Sequence, residues 1–279
     1  MNRIEAFGYI AAQAARGEIS FPTSVNAVLR LQLALEDPDC HLEEAIRLVL
    51  GEPQLAARTV ALANTAAYAG NSGQEVTNVR AAVARIGYRR LQALVASLVV
   101  RQFGNRIVDP ALRAKAEQLW EHTAHVSALA QAFARRVTFV NADTALFAGV
   151  VHEVGGFYLL SRADEFPGLL DDDPEKWGEL CEDVVSREVL KKLNVPAPVA
   201  EAVTELRGAW LNMPPHTLRD TLLLANQYAP VASPLGTPAE PPPDHDESAI
   251  DFALDQETLW EVQRDAAKEY QAMGGPLLV

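Results

Sequence analysis

Apolar residues recur along this chain at helical spacing, and no stretch alternates apolar and polar residues long enough to make a strand. The segment 110–137 shows it best. Asp109-Pro110 opens it, and Leu119, Trp120, Val126, Leu129, Phe133 and Val137 follow at three- and four-residue steps. Similar patterns predict helices over 3–16, from Pro22-Thr23, over 42–50, from Pro53 to Asn64, and from Thr77 or Asn78 to Ile86. Further helices are expected over 88–103, from Asn141 or Asp143 through His152, and over 175–193, 196–210, 216–229 and 254–272. Gly51-Glu52-Pro53 breaks and restarts a helix, with Pro53 suited to a first turn. Tyr68 to Gln74 is a Gly- and Asn-containing loop, and Gly87 ends a helix. The expected fold class is therefore all-α.

With 24 basic and 37 acidic residues the net charge is −13, which repels phosphate backbones and argues against a nucleic-acid partner. Arg85, Arg89 and Arg90 form the densest basic cluster and read as a solvated helix face. Cys40 and Cys181 are far apart and in no metal-binding pattern, as in a reduced, cytoplasmic protein. The first residues carry no signal-peptide pattern. The apolar run from Leu91 to Val100 is too short to span a bilayer, so no membrane partner is expected. Five prolines and several acids between Pro234 and Glu247 read as an extended linker with little capacity to bury a core. Leu254, Leu259, Val262, Ala266 and Tyr270 then suggest a terminal amphipathic helix that docks on its own domain or on a partner, self-docking being the simpler reading.

Motifs stand in a fixed order. Phe21-Pro22-Thr23, Asp37-Pro38-Asp39, Gly51-Glu52-Pro53-Gln54-Leu55, Leu62-Ala63-Asn64-Thr65-Ala66-Ala67-Tyr68 and Val79 to Gly87 are followed by Leu119-Trp120-Glu121-His122. Gly149-Val150-Val151-His152-Glu153-Val154-Gly155 comes next. Together they resemble the HDOD domain, a bacterial signalling module distantly related to HD phosphohydrolases. The resemblance covers about residues 15–229. It implies an N-terminal helix (1–14), an HDOD domain of two helical parts (15–105 and 106–229), a proline-rich linker (230–250) and a C-terminal helix and tail (251–279). Pro22, Pro53, Asn64, Tyr68, Gly87 and Trp120 are the structural positions of the pattern.

The same resemblance points to a vestigial HD-type site at His122, His152, Glu153 and Asn226. Glu153 stands where an HD enzyme has a metal-bridging Asp, and Asn226 where it has a metal-binding Asp. The regions around Ser186 and Ala202–Arg207 lack the histidines often found there, although Glu205 is a carboxylate candidate. Glu for Asp moves the carboxylate by roughly 1 Å, more than a metal site tolerates. The two histidines therefore read as a half-buried pair partnered by Glu153, with His125 an outside candidate ligand and His216 a surface residue. No metal, cofactor or catalytic residue is expected.

The implied function is non-enzymatic signalling through a protein partner, with a homodimer left open. The rivals are a metal-dependent phosphohydrolase acting on a nucleotide or cyclic dinucleotide, and a nucleotide sensor without turnover. Bound metal lost on His152→Ala, or thermal stabilisation by nucleotides without product, would separate them.

Overall fold

The computed structural model describes residues 2–19, 42, 45–46, 59, 62–65, 79–95, 109–163, 165–170, 177, 181–192, 195, 197–236 and 255–278. Pro22, Pro53 and Tyr68, Cys40 and the bulk of the proline-rich stretch lie outside them. Among the described residues there is no strand, and the chain is all-α.

Helix α1 (Arg3–Ala15) starts on a capping box. The Asn2 side chain accepts from the Glu5 amide at 2.8 Å, and the Glu5 carboxylate accepts from the Asn2 amide at 2.9 Å. Its buried stripe of Ala6, Phe7, Ile10 and Ala14 reaches Trp177, with the Phe7 and Trp177 rings 6.4 Å apart. Helix α2 (Val79–Ile86) ends at Gly87, whose φ of 80° explains why this position asks for glycine. Residues 88–95 are again helical.

The spine is α3 (Pro110–Phe133). Asp109 caps it through the amides of Ala111 (2.7 Å) and Leu112 (3.2 Å), with Pro110 in its first turn. A π turn, Ala134–Thr138, continues it to about the predicted end. The chain then reverses through Phe139, whose φ is 55°, and Asn141 caps α4 (Ala142–Val151). α3 and α4 form an antiparallel hairpin packed so closely that a Cβ on Gly149 would lie 2.5 Å from the Ser127 Cα. This crossing of small residues brings the end of α4 onto the middle of α3.

Helix α5 (Val154–Ala163) restarts after the His152-Glu153 break. The apolar stretch Thr144–Ala163 is long and apolar enough to cross a membrane, but it is interrupted there and 76% buried, the pattern of a core hairpin. Next come α6 (Asp183–Lys192), α7 (Ala197–Thr204), α8 (Leu218–Gln227) and α9 (Gln256–Leu278). The expected helix 196–210 is cut short at Thr204, and Gly208 with φ 64° lies in the turn that follows. One contiguous core runs from Phe7 and Ile10 through Leu91 and Leu94 to Leu119, Phe157, Trp177 and Leu224, so the two expected helical parts share an interior.

Candidate functional site

Four side chains named from the sequence meet at one point. His122 comes from the middle of α3, His152 from the C-cap of α4, Glu153 from the break before α5, and Asn226 from the last turn of α8. Both histidines are buried, at 3% and 9% exposure. Their Nε2 atoms lie 3.2 Å apart, and His122 Nε2 is 3.1 Å from Asn226 Oδ1 and 4.0 Å from Glu153 Oε1.

The hydrogen-bond pattern fixes what each atom can do. His122 Nδ1 faces the Val231 carbonyl at 2.7 Å, and His152 Nδ1 faces the Gly149 carbonyl at 2.7 Å. A carbonyl only accepts, so both Nδ1 atoms carry hydrogen. The Asn226 amide nitrogen donates to the Leu222 carbonyl at 3.0 Å, which turns its oxygen inward. The point of convergence is thus ringed by two imidazole nitrogens, an amide oxygen and a carboxylate, all natural acceptors. Such a set is stable only around positive charge, either a proton on an Nε2 or a bound cation.

Burial acts on the same groups. The His152 imidazole is pushed down to about 3 by burial and by the charge of His122, so its Nε2 lone pair stays free. The Glu153 carboxyl is pushed up by burial, with His122 and a hydrogen bond from Ser233 pulling the other way. Glu182, which the sequence did not mark, feels this charge. Its carboxyl is pushed up to about 7 by burial and then by Glu153, against the pull of Arg207.

The chamber has a cover made of its own chain. Residues 230–236, read from the sequence as the start of an extended linker, instead form a strap across it. Val231 accepts from His122, the Ala232 carbonyl accepts from Gln118 Nε2 at 3.0 Å, and Ser233 bonds Glu153. Leu235 is buried over Gly156, where a Cβ would come within 2.9 Å of Leu235 Cδ1 and 3.1 Å of Glu153 Oε2. The apolar pair Val231 and Leu235, four residues apart, was the signal for this; the prolines around it masked it.

Some of the other expectations are corrected and others hold. His125 is not a ligand candidate: its ring stacks on Tyr270 of α9 at 3.9 Å. Glu205 is an exposed residue paired with Arg219 at 3.5 Å, not with the histidines. Arg90 is not a solvated base but pairs with Glu269 at 2.9 Å. Ser186 packs against Gly155 through α6, away from the chamber's ligands. His216 is exposed at the turn before α8, and Trp120 is a core residue set edge-on to Phe157 at 5.4 Å. Asn64 and Gly87 both follow helical residues, as the motif order suggests.

An all-α bundle with a His pair and a carboxylate at a helix break defines an HD-like domain. Residues 21–207, more than half of the chain, match the HDOD domain, and the chain belongs to the HDOD family. A comparison with curated proteins gives no match. Among solved structures the fold is similar to that of a Shewanella amazonensis SB2B protein named "Putative metal-dependent phosphohydrolase", with 19% identity, 97% of this chain and 100% of that one covered, and a TM-score of 0.69. It is also similar to an HDOD domain protein with unknown function from Geobacter sulfurreducens, at 20% identity over 98% and 94% of the two chains and a TM-score of 0.60. A third, named "Putative signal transduction protein", from Marinobacter aquaeolei VT8, shares 18% identity over 99% of this chain and 66% of its own, with a TM-score of 0.63.

The donor set can be tested against the metals of HD hydrolases. His122, His152 and Glu153 place one ligand atom each within 4.8 Å of one another. An Nε2 pair 3.2 Å apart suits two bonds of about 2.1 Å meeting at about 100° on one ion. Asn226 Oδ1 adds a neutral oxygen. These residues fit one cation. They fall short of a second ion, because Asn226 is a neutral donor and no further histidine joins them among the described residues.

Proposed function

We propose that this chain is a non-enzymatic signalling module that works by binding a protein partner, in a bacterial cytoplasm. The observation that carries this reading is the strap. Val231 to Leu235 are anchored to the chamber's own walls, through His122, Gln118 and Glu153, with Leu235 buried over Gly156. Hydrolysis needs an open metal position for an activated water and for substrate, and a segment anchored beside the ligands in this way works against one. The family's placement among signalling proteins supports the same reading.

A metal-dependent phosphohydrolase is the second reading, and the convergence of three ligand residues favours it. His122, His152 and Glu153 would hold the ion, with Asn226 as a neutral fourth ligand. Such an ion would supply charge for polarising a phosphoryl oxygen and for lowering the pKa of a bound water. His122 Nδ1 donating to Val231 would orient that ligand, so metal loading would tighten the strap rather than open it.

The experiment is a turnover assay on the full chain loaded in turn with Mn²⁺, Fe²⁺ and Zn²⁺, with nucleotides and cyclic dinucleotides as substrates. The signalling reading expects no product. Product formation abolished by His152→Ala would establish the hydrolase instead.

A further inference from the structure

The C-terminal helix α9 packs on α3 and reaches Arg90, and its contact combines apolar packing with a row of ion pairs. Arg136 Nε and Nη2 donate to Asp265 Oδ2 at 2.9 and 2.6 Å, and Arg136 Nη1 donates to Glu261. Arg90 pairs with Glu269 at 2.9 Å. The carboxylates at 261, 265 and 269 are four residues apart, so one edge of α9 is an acidic row. Beside that row Val262 and Ala266 are buried, Leu259 packs against the core, and Tyr270 stacks face to face on His125, ring planes 4° apart. Burial opposes ionisation of Asp265, yet hydrogen bonds from Arg136 and Arg264 hold its carboxyl below the usual carboxylate range.

Two properties of this contact stand out. A basic seat sits on a chain whose net charge is −13, so the seat is local and specific to an acidic occupant. The Arg136 pairs with Glu261 and Asp265 are partly exposed and therefore screened by salt, whereas Arg90–Glu269 is largely buried. The sequence that joins α9 to the rest of the chain, 237–254, is rich in proline and acid. A helix joined to the chain competes for its seat through high local concentration as well as through its contacts.

We infer that the groove bearing Arg90, His125 and Arg136 is the docking site for an acidic amphipathic helix of a protein partner, and that α9 occupies it in cis as an autoinhibitory stand-in. The partner helix carries carboxylates at i, i+4 and i+8, small or branched apolar residues beside them, and an aromatic residue at the far end. This rests on the partner-binding reading above and gives it a surface and a partner chemistry.

The test uses the full chain and, as probe, a fluorescent peptide of residues 255–271. In the wild type the tethered helix competes with the probe. Reversing the acidic row with Glu261→Lys and Asp265→Lys weakens that competition, and probe affinity rises by about ten- to a hundred-fold. Adding Arg136→Glu to the reversed chain removes the gain. If the double reversal disturbs the fold by circular dichroism, Tyr270→Ala in the full chain releases α9 more gently and is expected to raise probe affinity in the same direction. Equal binding to wild-type and released chains, or binding indifferent to Arg136, overturns the inference. Wild-type dimers that disappear with Asp265→Lys would seat a second copy's α9 in the groove, and also overturn it. The probe reads the groove alone, so a chain that proved to be a hydrolase could still show the docking site, and the two conclusions can fail separately.

Discussion

The two ends of α8 each carry a polar side chain into the interior, and they are finished in opposite ways. At the N-terminal end Asp220 is fully buried and meets five donors. The amide and side-chain nitrogen of Asn212 bond Oδ1 at 3.1 and 3.0 Å, and Oδ2 takes the amides of His216 (3.2 Å) and Thr217 (3.0 Å) and the Thr217 hydroxyl (2.7 Å). Burial works against its charge, but these donors win and hold its carboxyl below the usual range. At the other end Asn226 turns an acceptor toward two imidazole lone-pair positions and a carboxylate, and one hydroxyl, from Ser233, is what Glu153 receives. There burial wins and the carboxyl is pushed up. The first is a closed structural joint. The second is a set of acceptors short of positive charge.

That contrast can be broken by substitution, starting with the largest effect. Asp220→Ala leaves several buried donors without an acceptor and breaks the capping box that Asp220 forms with Thr217, so thermal or urea unfolding should show a loss of about 3 kcal/mol. Asp220 also adds stability that is full above its unfolded pKa of about 3.9 and lost as pH falls through its lower folded value.

The histidine end gives a different pH window. His152 titrates at about 3 in the fold and at about 6.5 unfolded, so the unfolded chain takes up a proton first as pH falls. Stability of the metal-free chain should drop by about 2 kcal/mol between pH 6.5 and 5, and His152→Gln should flatten that part of the profile. A profile unchanged by His152→Gln would mean that the imidazole is solvated rather than enclosed.

Glu153→Gln should move stability opposite to Asp220→Ala. Its charge is disfavoured in place, so the neutral isostere gains about 1 kcal/mol at pH 7 in the metal-free chain. A loss would show that the carboxylate is needed as the counter-ion of His122. The smallest effect on stability, under about 1 kcal/mol, is expected for Gly156→Ala, because the new methyl meets the tips of Leu235 and Glu153 and not backbone. Hydrogen exchange at residues 231–235 should speed up while α3 stays protected, which isolates the strap from the fold.

The sequence carried the chamber's inner wall and missed its lid. His122, His152, Glu153 and Asn226 sit in motifs whose spacing along helices is local information, and the fold brings all four together. The strap is legible only through Val231 and Leu235, which look like chance apolar residues beside Pro230 and Pro234 until Gly156 supplies the hollow for Leu235. Asp220 drew no notice because its donors come from a turn eight residues upstream as well as from its own cap. Arg90 and Glu269 are 179 positions apart, and no local pattern reports such a pair. The self-docked terminal helix was foreseen from its periodicity, whereas the basic seat beneath it was not.

Among the described residues the chamber holds the ligands for one cation, with the strap of 231–235 anchored beside them. Metal bound per chain, counted by native mass spectrometry after loading with Mn²⁺, Fe²⁺ or Zn²⁺, tests it most directly. The account predicts no more than one ion per chain, and its removal by His122→Ala or His152→Ala. Two ions per chain, or a single ion that survives both substitutions, would contradict it.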